Sequence, residues 1–206
     1  MSKTFFDIGI SLDGYVAGED RGPQNPLGND GTSIHSWMYQ QAAFWKNFGI
    51  EKGEDGPEGK LITQTLARTG AYIMGKRVFE EGEANWPMDL FKTPVFVLTH
   101  EKREPWVQRG STVFYFTSEN IRDVLRQARE AAGKRDVRIH GGADTIRQFL
   151  HAGLIDEFYV HTAPVVLGSG LRLFDLLEKE SFKLKVEEVS YSPLAVHTKY
   201  SVIKYQ

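Results

Sequence analysis

The sequence predicts an α/β fold organised around a mainly parallel sheet, and three observations carry that reading. Strand patterns alternate with amphipathic helical patterns along most of the 206 residues, about eight strands to about four helices. Residues 137–174 hold a continuous strand–helix–strand unit that turns at the paired glycines Gly141 and Gly142. The last two strand patterns, 182–189 and 195–203, flank Ser192-Pro193 with no helix between them, which predicts an antiparallel C-terminal hairpin.

The elements follow in order. Residues 4–10 read as a first strand, followed by Ser11-Leu12-Asp13-Gly14 and a polar loop through Gly31 that holds Pro23 and Pro26. Residues 34–48 have helical spacing, with Trp37, Gln41, Phe44, Trp45 and Phe48 near one face. Residues 49–60 form a glycine-rich, charged and mobile loop, and 63–68 a short helix before the strand 71–74. A short helix, 78–81, follows Gly75-Lys76-Arg77. The strands 94–98 and 112–116 are joined by the polar segment 99–110. Residues 119–132 make a strong helix with Ser118 as N-cap and Gly133 as its stop. Strand 136–140, helix 143–151 and strand 156–163 complete the central unit. No internal repeat and no long linker divides the chain, so one domain is expected over 1–206.

Composition excludes several function classes. A net charge of −2 offers no electrostatic attraction for nucleic acid or an anionic membrane. The chain has no cysteine, which removes disulfides, thiol nucleophiles and cysteine-ligated metals. The six histidines show no metal-ligand spacing, and no Gly-x-Ser-x-Gly elbow is present. The N-terminus lacks a basic region and a sustained apolar run, so no signal peptide is read there, and no apolar stretch reaches a membrane span. A cytoplasmic protein acting on small molecules is the expectation.

In an open α/β sheet, ligands bind beyond the carboxyl ends of the strands. Four polar or small clusters fall there: residues 11–14, 75–77, Thr99-His100 and 141–145. Gly141 and Gly142 run into a helix start, where outward N–H groups and a missing Cβ admit a phosphate; taken alone, such a pair is more often a plain tight turn. Ala143, Asp144 and Thr145 open that helix, the last two also as ordinary caps. Lys76 and Arg77 offer charge-assisted bonds to phosphate, or balance Glu80 and Glu81 on a solvated face. Thr99 and His100 stand beside a ribose or phosphate, or simply at the surface. Asp13 is a weak candidate proton donor or substrate anchor, with an Asx-turn as its alternative. Trp37 stacks on a planar substrate or packs with Phe44 and Trp45.

The segments SLDGYVAG (11–18), NPLGNDG (25–31), IHSW (34–37), IMGKRVFEEG (73–82), PVFVLTH (94–100), HGGADTIRQFLHAGLIDE (140–157) and APVVLGSGLRLF (163–174) cover most of the chain. Together they resemble the dihydrofolate reductase-like superfamily, and within it the reductase C-terminal domain of the riboflavin-biosynthesis deaminase–reductase. The resemblance implies a central, mostly parallel eight-stranded sheet with helices on both faces, and NADPH bound across the strand ends. Gly75, Lys76 and Arg77 would lie at the adenosine-phosphate side with Thr99 and His100 nearby. Residues Gly141, Gly142, Ala143, Asp144 and Thr145 would cradle the pyrophosphate, and Ala17 would approach the nicotinamide. It further implies hydride transfer to a C=N or C=O bond of a small pteridine- or pyrimidine-like heterocycle, and a homodimer. Two features depart from the pattern. Residues 34–48, taken as the first long helix, hold no carboxylate to pair with a pterin, and the zinc-binding deaminase signature is missing. A non-catalytic nucleotide-binding or ligand-sensing protein on the same scaffold is the alternative.

Overall fold

Strand β3 (Thr69–Gly75) sets the centre of the structure: six of its seven residues are buried, because both of its faces are covered. The computed structural model describes residues 2–84, 86–87, 89–177 and 182–203. The other strands are β1 (Thr4–Ile10), β2 (Tyr15–Ala17), β4 (Val95–Leu98), β5 (Trp106–Val107), β6 (Val113–Thr117), β7 (Asp136–Gly141), β8 (Glu157–Thr162), β9 (Leu171–Arg172), β10 (Lys183–Tyr191) and β11 (Val196–Ile203). Nine of them form one sheet in the order β10-β11-β8-β1-β7-β3-β4-β6-β5, while β2 and β9 pair apart. The interior pairs are parallel, from β8–β1 through β4–β6. Antiparallel pairs close both edges, β8–β11 and β11–β10 on one side and β6–β5 on the other. The expected eight-stranded sheet thus gains an edge strand from a segment read as a polar linker. Trp106 carries it by packing on Phe114 and Phe79.

Alternation along the strands assigns the two faces. Ala71 and Ile73 join Phe6, Ile139 and Phe158 in a core covered by α5 (Ile121–Ala132) and α6 (Ala143–His151). Tyr72 and Met74 point the other way, to Phe91, Val97, Phe114 and Phe79 of α4 (Lys76–Glu83). Helix α5 is capped by Asn120, whose side chain accepts from the N–H groups of Arg122 and Asp123, so the start falls two residues after the expected Ser118. It stops at Gly133, whose φ of 64° is the conformation glycine adopts without strain.

Two expectations fail in the segment 34–68. The single helix expected over 34–48 is three short pieces: a 3-10 turn (Gly31–His35), α1 (Ser36–Tyr39) and α2 (Ala42–Lys46). Gln41 separates the last two in an extended conformation. Its side chain bonds Glu58 and the Gly59 N–H instead of continuing the helix. The loop expected through residue 60 ends at residue 56, because α3 (Pro57–Arg68) starts with proline at its first turn.

Candidate active site

The four expected strand-end clusters do not all meet. Strands β7, β3, β4 and β6 are neighbours, and their carboxyl ends open on one cavity of about 360 Å³. Strand β3 sends α4 to one face of the sheet, whereas β7 and β6 send α6 and α5 to the other. The cavity therefore sits where helices leave in opposite directions, the ligand position of open α/β sheets.

Gly75, Lys76, Arg77, Thr99, His100, Gly142, Ala143, Asp144 and Thr145 all line it. Gly141 lies just behind, with φ of 123°, a conformation that favours glycine. Its peptide bond to Gly142 is cis. Helices α4 and α6 begin at Gly75 and Gly142, and neither start has a side-chain cap. Two sets of first-turn N–H groups thus face one cavity without a side-chain acceptor at the cap position. At Gly142 a Cβ would lie 3.3 Å from Val78 Cγ2, so glycine keeps this approach narrow but open. Thr99 and Thr117 hold the ends of β4 and β6 by accepting from the N–H groups of Glu101 and Glu119.

Cations surround this cradle. Lys76 is ion-paired with Glu101 and Glu80, and the Glu101 hydrogen bond raises its pKa. Arg77 is exposed beside Glu81, and Glu81 is held from within by Arg21 at 2.6 Å. Arg21, Thr117, Gln148 and Leu171 also line the cavity and were not anticipated. Thr117-Ser118 repeats the strand-end signal of Thr99-His100, but nothing in the sequence links Arg21 to β3. Ala17 is buried outside the lining, paired with Leu171 in the β2–β9 ribbon. Uncapped helix starts, glycine at the approach and flanking cations fit a dinucleotide diphosphate.

Asp13 takes another role than those expected, and Trp37 takes its packing alternative, in a buried cluster with Phe44 against it. The Asp13 carboxylate is bonded by the Ser11 hydroxyl and by the N–H groups of Gly168 and Leu167, which together hold its pKa at about 2 despite the opposing effect of desolvation. It is an ionised clamp between two loops and has no proton to donate near neutral pH. Trp37 is 3% exposed, and its ring lies 4.6 Å from that of His161 and 4.9 Å from that of His197. It is part of an interior polar cluster and presents no free face to solvent.

That cluster escaped the sequence reading. Glu58, Ile62 and Thr65 form the buried face of α3, so the long helix beside the sheet does carry a carboxylate. The expectation of a helix without one came from assigning that helix to 34–48. Glu58 approaches His197, and beyond it lie His161 and Asp7. Only the β8–β11 register sets His161 opposite His197. Among the described residues no group of histidine and carboxylate side chains suits a metal ion, and no helix is long and apolar enough to cross a membrane.

Comparisons with known proteins bear on the fold and the family. The model of the RibD C-terminal domain matches residues 3–198. The uncharacterised protein YyaP of Bacillus subtilis is 37% identical over 187 residues, covering 88% of this chain and 86% of its own. A solved structure from Shewanella sp. PV-4 superposes with a TM-score of 0.68 at 22% identity, covering 98% of this chain and 99% of its own. Dihydrofolate reductase from Enterococcus faecalis, solved with NADP(H), superposes at 0.53 and 12% identity, covering 97% and 96%. The fold is dihydrofolate reductase-like, and the chain belongs to the RibD C-terminal domain family, a reductase-related family.

Proposed function

We propose that this protein is an NADPH-dependent reductase that transfers a hydride to a C=N or C=O bond of a small pyrimidine- or pteridine-like heterocycle. One observation carries the reading: the uncapped starts of α4 and α6 open on a single cavity flanked by Arg21, Lys76 and Arg77. Main-chain N–H groups of Gly142 to Thr145 would hold the diphosphate, and the cations at the β3 end would hold a further phosphate on the adenosine side. Thr99 and His100 would flank that side, and Ala17 would lie toward the nicotinamide. When bound, the reduced cofactor supplies the hydride, while the protein orients the substrate and excludes water. The NADP(H) bound to the Enterococcus faecalis enzyme, which shares the fold, supports the choice of cofactor.

Isothermal titration with NADPH and NADH tests this directly, with NADPH expected to bind the more tightly. Gly142→Val should weaken NADPH binding at least about tenfold, or roughly 1.4 kcal/mol, with an unchanged circular dichroism spectrum. Unchanged affinity would remove the phosphate from this turn, and no binding of either nucleotide would sink the proposal. A panel of pteridines and pyrimidinones, followed by NADPH absorbance, separates catalysis from sensing. Tight binding without oxidation would favour a ligand-sensing protein.

A further inference from the structure

The interior of the sheet holds a chain of ionisable groups for which cofactor binding has no use. Phe6 of β1 packs toward α5 and α6, which leaves Asp7 on the α3 side. Asp7 Oδ1 lies 3.1 Å from His161 Nε2, an ion-pair contact rather than an aligned hydrogen bond. His161 Nδ1 is 2.8 Å from His197 Nδ1, and His197 Nε2 is 3.9 Å from Glu58 Oε1. His161 is 0%, His197 3% and Glu58 4% exposed. Arg138 of β7 and Thr65 of α3 contact Asp7 at 3.3 and 3.0 Å, and Gln41 donates to Glu58 Oε2 at 3.1 Å. His35, His140 and Tyr159 complete the ionisable surroundings. Three atoms at the α3 end, Glu58 Oε1, His197 Nε2 and Trp37 Nε1, have no hydrogen-bond partner among the described residues. Buried polar atoms without partners are costly, and their concentration at one point marks a place built to receive something.

Proton bookkeeping constrains the pair of histidines. Two facing Nδ1 atoms at 2.8 Å share one proton, since two lone pairs or two protons would repel. In one arrangement His161 carries protons on both nitrogens, and His197 is neutral with its proton on Nε2. In the other, His197 donates from Nδ1 to a neutral His161, and its Nε2 is bare. The first holds one proton more than the second: loss of the proton on His197 Nε2, with transfer of the shared proton from His161 to His197 Nδ1, converts one into the other and leaves His197 neutral. Burial, with the charge of His161, pushes the His197 pKa down to about 4 and so favours its neutral form. Asp7 stays ionised despite burial, because His161 and Arg138 hold its carboxyl well below the usual range.

Resting on the reductase reading, we infer that Asp7, His161, His197 and Glu58 form the proton source of the reduction. Substrate reaches Glu58 Oε1 and His197 Nε2 by displacing the indole of Trp37. As a C=N bond is reduced, its carbon gains the hydride and its nitrogen takes the proton from His197 Nε2. His197 Nδ1 then takes the proton that His161 holds on Nδ1, and His161 is left neutral beside Asp7 until solvent refills the chain. His197 is the catalytic residue, Glu58 orients the substrate edge, and His161 and Asp7 are positioning residues.

The test has two arms. In unaltered protein labelled with ¹⁵N-histidine and saturated with NADPH, nuclear magnetic resonance should detect scalar coupling between the two Nδ1 nuclei, and the His197 tautomer should change with pH. Absent coupling, or a fixed tautomer, overturns the chain whatever the activity. In the second arm, His197→Gln should lower kcat toward a responsive heterocycle by about 10²-fold or more, with the Kd for NADPH unchanged. Asp7→Asn should move the pH profile of kcat. A variant with wild-type rate and profile overturns the donor role. If none of the heterocycles makes wild-type protein oxidise NADPH, the reductase reading falls and the donor role with it, while the coupling still decides whether the chain exists.

Discussion

Arg21 and Glu81 show how a single contact ties a loop to the candidate site. Their side chains are 12% and 7% exposed, and Arg21 also donates to the Pro26 carbonyl at 3.2 Å, which fastens the 19–31 loop over α4. Glu81→Ala would leave the guanidinium buried without its carboxylate, a loss of about 3 kcal/mol, and denaturant unfolding of the variant measures it. The residues of the cleft that were legible in the sequence, from Gly75 to Thr145, were so because strand ends and helix starts are local signals. Arg21, Glu58 and His197 were not, since each depends on a tertiary neighbour far away in the chain. Asp13 was legible as a polar residue after a strand, but its commitment to Gly168 was not.

At the scale of elements, periodicity worked where one face is apolar. Helix α6 has the bounds expected of it, and β1 runs over Thr4–Ile10 as read. The pattern places the start of α3 late because two of its three buried residues, Glu58 and Thr65, are polar, which leaves a thin apolar stripe of Ile62 and Leu66. The segment 34–48 reads as one helix because its aromatic spacing is helical, and the pairing of Gln41 with Glu54 and Glu58 overrides that spacing. The Asn120 cap offers a measurable check on α5. Asn120→Ala removes the acceptor for two N–H groups and should lower stability by about 1 kcal/mol, read as a shift of the thermal midpoint.

The whole molecule should be acid-sensitive in a definite window. The folded pKa of His197 lies near 4, below its ordinary 6.5, so between those values the unfolded chain binds a proton that the folded chain refuses. Its contribution is therefore complete above pH 6.5 and is lost as pH falls toward 4, up to about 3 kcal/mol. Burial depresses His35 and His140 in the same direction, to about 4 and about 3. Glu157 is held at about 2 because Lys3 and Arg68 outweigh the effect of its burial, and it extends the loss below its ordinary 4.5. Unfolding followed across this range should show a steep loss of stability, and a flat response would mean that these rings are not neutral in the fold. At the sheet's edge, all nine residues of β10 are exposed, Val186 and Val189 among them at 54% and 58%. We expect a homodimer through this edge, since an antiparallel second copy centred on Val186 would set Lys185 against Glu187. Light scattering should give twice the chain mass, and Val186→Glu should halve it.

The uncapped starts of α4 and α6 have a consequence for mutational tolerance. A cradle made from peptide N–H groups is present whatever side chains surround it, provided that the turns at Gly75 and Gly142 persist. Replacement of Gln148 or Ser118 in the lining leaves that cradle intact. The proposed substrate end, where Glu58, His197 and Trp37 converge, is built from side chains and changes with each substitution. Selection on such a scaffold can retune what is reduced without rebuilding what holds the phosphates.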